Sequence, residues 1–249
     1  MKKKLSPMME QFWQQKNLHP DKILLFRMGD FYELFDQDAI IAAPILGIAL
    51  TVRNRKSEDA TKMCGVPHHS IAGPINKLLT AGFKVAICDQ LEDPKSAKGI
   101  VKRGVTRILS PGMVYDPNEI ESGKANYLVS YDDNTIAFFE ATTGEAFYFL
   151  STSDEDKKDL IDSLRPAELV LTEAGKTKYL TNKKQVSGPF VSSYEFNNED
   201  KEKVISVVGE APESIIRLLS YATSMQGSDA LATVKKIEKR HLQKHLQMR

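Results

Sequence analysis

Only two cysteines, Cys64 and Cys88, occur among the 249 residues. That supply excludes a disulfide-built scaffold and suits a reducing compartment. Long hydrophobic runs are also scarce. The longest apolar stretch, residues 40–50, is interrupted by Pro44 and Gly47 and falls well short of the roughly 20 residues that cross a bilayer. The opening Met-Lys-Lys-Lys leads into Ser6-Pro7 and a polar stretch at 11–16, where a signal peptide would place its apolar core. A cytoplasmic protein without membrane contact is therefore expected. Phosphate-cradling glycine loops are missing too: the nearest string to a P-loop, Ser122-Gly123-Lys124-Ala125, lacks the leading glycine and the hydroxyl, and no G-x-G-x-x-G occurs. ATP hydrolysis by these residues is not expected.

Net charge is the last scarcity. Lysine and arginine number 34 against 33 acidic residues, a balance of +1, which taken whole argues against a uniformly basic nucleic-acid coat. The sum conceals three segments. Residues 1–112 carry 17 basic and 11 acidic side chains, 113–230 carry 11 and 21, and 231–249 carry 6 and 1. The nets of +6, −10 and +5 point to parts with different partners.

What is present is ordinary globular material, 41% hydrophobic and 27% charged, enough to bury a core and too apolar for general disorder. Ser6-Pro7 opens a helix that stops at His19-Pro20. Strands are expected over 22–28, 31–35, 48–53, 84–89 and 101–109, with helices over 37–46 and 71–80 and a polar loop over 54–62. Alternating strands and helices make this first segment, 1–112, mixed α/β. Beyond Ser110-Pro111-Gly112, three strands over 127–131, 135–140 and 145–150 follow one another through short turns, as in an antiparallel meander. A helix over 154–164 capped by Ser153, a strand over 168–172, a further helix, a strand near 185–194 and helices over 199–208 and 211–225 complete the segment 113–230. This element order resembles the ribonuclease H-like fold. Residues 231–249 have no apolar face wide enough for a domain and read as the truncated start of a further region.

Several chemistries can be weighed from spacing. Cys64, His68, His69 and Cys88 fit no strong zinc pattern, and both cysteines sit in apolar runs, which makes them core. A ribonuclease H-like segment raises a divalent-ion nuclease, for which Asp132, Asp133, Glu140 and Glu145 are available; all four lie in or beside turns, where solvated carboxylates are common. A non-catalytic protein-interaction scaffold is a further alternative. The most informative stretch is Gly29-Asp30-Phe31-Tyr32-Glu33-Leu34-Phe35. Three aromatics in five residues beside a Gly-Asp turn leave a ring on the exposed side of a period-2 strand, and an exposed ring near basic segments is suited to stacking on or wedging between bases.

These residues, with Pro7-Met8-Met9-Glu10-Gln11-Phe12 before them and Gly65-Val66-Pro67-His68-His69, Val85-Ala86-Ile87-Cys88-Asp89-Gln90, Asp93-Pro94 and Thr106-Arg107-Ile108-Leu109-Ser110-Pro111-Gly112 after them, resemble the amino-terminal part of the bacterial MutS family. The resemblance is dense over 6–112 and looser over 113–230. It implies a mismatch-recognition domain (1–112), a ribonuclease H-like connector domain (113–230) and the start of a lever region (231–249). It also implies that Phe31 inserts from the minor groove onto a mispaired base, that Glu33 hydrogen-bonds that base, and that Arg53, Arg55, Lys56, His69 and Arg107 meet the DNA backbone. Tyr32 should be core. Implied partners are duplex DNA with mismatches or small insertion/deletion loops, a MutL-like protein that the acidic connector would meet, and a second copy in the full-length form. The ATP and magnesium of such proteins would bind outside these residues, so no cofactor or catalytic residue is expected here. Val52 stands where a lysine is usual, His68 for a tyrosine, and Ser110 and Met113 for threonines.

Overall fold

The computed structural model describes residues 5–55, 60–93, 99–113, 126–150, 153–182, 188–227, 229–234 and 236–241. The chain divides into two compact units, Met1–Ser110 and Pro111–Arg249.

In the first unit, helix α1 (Pro7–Leu18) precedes strands β1 (Ile23–Met28) and β2 (Phe31–Phe35). Gly29, at φ +57, makes the tight turn between them, a conformation that costs glycine little. Helix α2 (Asp36–Leu46), strands β3 (Thr51–Arg53) and β4 (Thr61–Pro67), a 3-10 turn over His68–Ser70, helix α3 (Ala72–Thr80) and strands β5 (Val85–Gln90) and β6 (Arg103–Leu109) follow. The sheet order is β3-β4-β2-β1-β5-β6, with β1 and β5 parallel and the remaining neighbours antiparallel. Two segments differ from the sequence reading. The strand expected over 48–53 is shortened because Gly47 ends α2 in a left-handed conformation and Ile48 N–H turns back to the Ala43 carbonyl, which takes residues 48–50 out of the ladder. The last two residues of the expected loop, Thr61 and Lys62, begin strand β4, which runs on through residues 63–67, to which no element was assigned; there buried Cys64 and Val66 alternate with more accessible neighbours, an alternation that Gly65 hides.

Cross-strand pairs share a face, so Phe26 and Glu33, which are paired, lie on one side with Phe31 and Phe35. The Phe12 ring of α1 packs edge-on against Phe26 and Phe35 at 5.7 and 5.0 Å on that side. Helix α2 covers the opposite face, where Cys64 Sγ donates to the Ala39 carbonyl. The edge of the layer is tied by the buried carboxylate of Asp38, which accepts from Leu24 N–H at 2.9 Å and Lys16 Nζ at 2.8 Å. Ser6 precedes α1 as expected, but its buried hydroxyl makes no capping bond.

The second unit contains β7 (Leu128–Tyr131), β8 (Thr135–Glu140), β9 (Glu145–Leu150), α4 (Asp154–Leu164), β10 (Glu168–Leu171), α5 (Glu173–Asn182), β11 (Phe190–Ser193), α6 (Asn198–Val208), α7 (Glu213–Gln226), α8 (Asp229–Ala232) and β12 (Ile237–Arg240). Its sheet order is β11-β10-β7-β8-β9-β12. The antiparallel meander β7-β8-β9 continues through β10 and β11, each parallel to β7's direction, which is the ribonuclease H-like arrangement suggested by the element order. Val129, Phe138, Phe147, Phe149, Leu160 and Leu169 form the core on the α4 side. On the other side α7 is pinned by polar links: Ser214 to Thr135, Arg217 to Ser130, and Tyr221 to Glu168. The described residues 231–234 and 236–241 join this unit, since Leu231 is buried and β12 pairs parallel with β9. Arg240 of β12 lies over the Phe147 ring and donates to Glu145; this edge pairing has no alternating apolar pattern in the sequence to announce it. Among the described residues, no helix is long and apolar enough to cross a membrane.

Candidate nucleic-acid interface

Strand β2 separates two kinds of side chain by its alternation. Tyr32 and Leu34 point into the layer under α2 and are buried. The Tyr32 hydroxyl donates to Asp89 at 2.6 Å, and burial, with the Asp89 carboxylate next, pushes its pKa up to about 12. Tyr32 is a structural residue, as its parity requires. On the other face Phe35 is buried against Phe12, whereas Phe31, at the end of the strand next to the turn, is 47% exposed. The large ring thus projects from the end of an inner strand that is paired on both sides.

The surroundings of Phe31 are built by backbone pairing. Phe31 is flanked by Met28 of β1 and Pro67 of β4, and the Asp30 carbonyl accepts from His68 N–H at 2.9 Å. The turn at Gly29 and the His68–Ser70 turn therefore form one end of the unit. His68 Nδ1 lies 3.2 Å from the same Asp30 carbonyl, and the His69 ring stands edge-on to that of His68 at 5.8 Å. His69 is exposed and sits on the same end as Phe31. Two arginines that the sequence reading did not single out fasten this end: Arg27 Nε donates to the Gly29 carbonyl, and Arg103 Nε to the Arg27 carbonyl at 2.7 Å with its guanidinium 5.4 Å from the Phe26 ring. Their cationic residue type and closeness in sequence to the turn and to β6 were the available signals.

Glu33 shares the face of Phe31 and is half-buried. Burial raises its pKa, and the Arg53 guanidinium opposes that rise. Arg53 Nη1 lies 3.5 Å from Glu33 Oε2, and its guanidinium is 5.9 Å from the Phe35 ring. The structure thus brings Arg53 to Glu33, a pairing that sequence distance gave no reason to expect. Arg55 is exposed in the turn after β3, and Lys56 lies outside the described residues. Arg107 pairs with Ile87 in the middle of β6; Ile87 shares a face with Leu25 and so with Tyr32, opposite to that of Glu33.

The residues considered for other chemistry are occupied otherwise. Cys64 and Cys88 are buried free thiols, with burial pushing their pKa values up to about 11 and about 12, which makes them inert core. Asp132 accepts from the Asn134 and Thr135 backbones and from the Thr135 hydroxyl, Glu140 from Thr143, and Glu145 from Tyr127 and Arg240. Asp133 presents its backbone carbonyl to Lys157. Among the described residues no three His, Cys, Asp or Glu side chains are grouped to hold a metal.

A family model of MutS domain I matches residues 6–118. The chain is 44% identical over 179 residues to the DNA mismatch repair protein MutS of Syntrophobacter fumaroxidans, covering 68% of this chain and 20% of that protein. It is 46% identical over 169 residues to that of Desulfitobacterium hafniense, covering 67% and 19%. With that of Lysinibacillus sphaericus it shares 38% identity over 234 residues, covering 89% and 27%. The chain spans about a fifth to a quarter of the length of these relatives. Through the domain that carries Phe31 and Glu33, and through relatives whose similarity runs on into the second unit, the chain belongs to the MutS family.

Proposed function

We propose that these residues serve DNA mismatch repair by recognising mispaired or unpaired bases in duplex DNA. Phe31 enters the minor groove and stacks on the aberrant base, and Glu33 accepts a hydrogen bond from it. The observation that carries this reading is the exposed ring of Phe31 on a strand that is paired on both sides and whose Tyr32, Leu34 and Phe35 are buried. A wedge must offset the unstacking of a base step, a few kcal/mol for a paired step and less for a mismatched one. Discrimination then comes from how easily the duplex deforms at the lesion. Glu33 sharpens it, because a carboxylate near phosphates is repelled unless a base N–H meets it.

Arg53, Arg55, Lys56, His69 and Arg107 are proposed phosphate neighbours, which would fix position and give a salt-dependent, sequence-independent part of the affinity. The acidic segment 113–230 is the surface offered to a MutL-like protein, where like charge keeps DNA away. The protein acts as a homodimer in its full-length form, with ATP and magnesium bound outside these residues and no catalytic step within them. The nuclease alternative has no supporting arrangement, since Asp132, Glu140 and Glu145 are bonded within their own chain.

Duplexes differing only in one unpaired thymidine test the reading, with affinity measured in the full-length dimeric protein. Phe31→Ala is expected to remove the preference for the unpaired base and to leave general duplex binding. Retained preference would contradict the proposal. Magnesium-dependent cleavage lost on changing Asp132, Asp133 or Glu140 would establish the nuclease instead.

A further inference from the structure

The ion pair between Arg53 and Glu33 is placed where both partners have competing work. Arg53 ends β3, beyond Phe35 when followed along the sheet from Glu33, and its guanidinium passes the Phe35 ring to come within 3.5 Å of the Glu33 carboxylate. On the other flanks, among the described residues, β1 sets Phe26 opposite Glu33 with the Arg103 guanidinium held over the Phe26 ring, β4 sets Gly65, and α1 packs Phe12 onto the same face. A Cβ at Gly65 would stand 3.3 Å from the Tyr32 carbonyl oxygen, a tight approach, and 3.6 Å from Glu33 Cγ, an ordinary contact. The two side chains are 29% and 20% exposed. A pair so open to water is worth about 1 kcal/mol or less, and a guanidinium binds phosphate at least as well as carboxylate.

We propose that Arg53 is a positioning residue for Glu33: it lays the carboxylate back along the sheet as an ion pair in the DNA-free protein, and exchanges it for a backbone phosphate when a duplex is engaged. The Phe35 ring under the guanidinium supports the arginine through this exchange. Once released, Glu33 is uncompensated beside a polyanion. On paired DNA nothing relieves it; on an aberrant base an N–H does. Arg53 thus contributes to discrimination as well as to affinity. That consequence rests on the mismatch-binding reading, whereas the pairing itself does not.

The pairing is tested without DNA by NMR titration of the glutamate side-chain carboxyls in the 249-residue chain, with the Glu33 signal assigned through Glu33→Gln. In Arg53→Gln the Glu33 titration is expected to move to higher pH, because burial then acts unopposed, and in Arg53→Lys to return toward the parent value. An unmoved titration in Arg53→Gln overturns the proposal. The exchange is tested in the full-length dimer by the ratio of affinities for the unpaired-thymidine and paired duplexes. Arg53→Gln is expected to lower that ratio several-fold when Glu33 is present and to leave it unchanged in the Glu33→Gln background. An equal effect in both backgrounds would make Arg53 a plain phosphate contact and overturn the exchange. Retained preference in Phe31→Ala would instead remove the mismatch reading and leave the titration result standing.

Discussion

Two glutamates, one in each unit, show how differently the same side chain is treated. Glu168, on β10, is wholly buried and accepts from Gly112 N–H at 3.0 Å, Ser192 Oγ at 2.5 Å and Tyr221 Oη at 2.6 Å. Glu33, on β2, is half-buried and has one cation at 3.5 Å. Glu168 joins a strand, a neighbouring strand, a helix and the segment entering the second unit, and its donors offset the cost of burying charge. Glu33 is left with acceptor capacity unused. One carboxylate is fully satisfied and the other stands beside an exposed aromatic, a contrast that supports the proposal of Glu33 as a base-contacting group.

Breaking the satisfied member should have the largest effect. Glu168→Leu strands the Tyr221 and Ser192 hydroxyls and the Gly112 N–H, and is expected to destabilise the second unit by about 3 kcal/mol, read from chemical denaturation followed by the aromatic signal. A loss below 1 kcal/mol, on the same order as one ordinary hydrogen bond, would deny Glu168 its organising role. Within the first unit, Tyr32→Phe removes a single part-buried bond to Asp89 and should cost about 1 kcal/mol. It should leave duplex discrimination unchanged, which separates Tyr32 from its neighbours Phe31 and Glu33.

The smaller effect concerns pH. The folded chain holds the Glu33 pKa above its ordinary value through burial, so the folded state favours the protonated carboxyl. The stability this gives is fully present below the unfolded pKa and is lost as pH rises through the folded one. Glu33→Gln should therefore melt higher than the parent chain at neutral pH, with the difference shrinking as pH falls through the Glu33 range. A difference that grows on acidification would show that Arg53, and not burial, governs the carboxylate.

Much of this contrast can be read from residue order. The period of β2 predicts that Tyr32 is core and that a ring of the Phe-Tyr-Glu-Leu-Phe run is exposed, because strand alternation is local. The β7-β8-β9 meander is announced by its turns. Ser153 caps α4 through the Asp156 N–H as its residue type suggests. The parts that could not be read are those made by distant pairing. Strand β4 is masked by Gly65, Arg53 reaches Glu33 only because β3 and β2 both flank β4, and Glu168 looks like any strand-edge acid until Tyr221 arrives from 53 positions away. Strand β12 shows the same limit: its four residues, Ile-Glu-Lys-Arg, have no strand signature, and pairing with β9 supplies what composition does not.

The central claim is that Phe31 is exposed for DNA and not for the fold. Phe31→Ala measured on both counts tests it most directly, by denaturation of the chain and by the affinity ratio of the full-length protein for unpaired-thymidine and paired duplexes. The account predicts a stability change within about 0.5 kcal/mol, as at other surface positions, together with an affinity ratio that falls to near one. A variant that is strongly destabilised, or one that keeps its preference for the unpaired base, would contradict it.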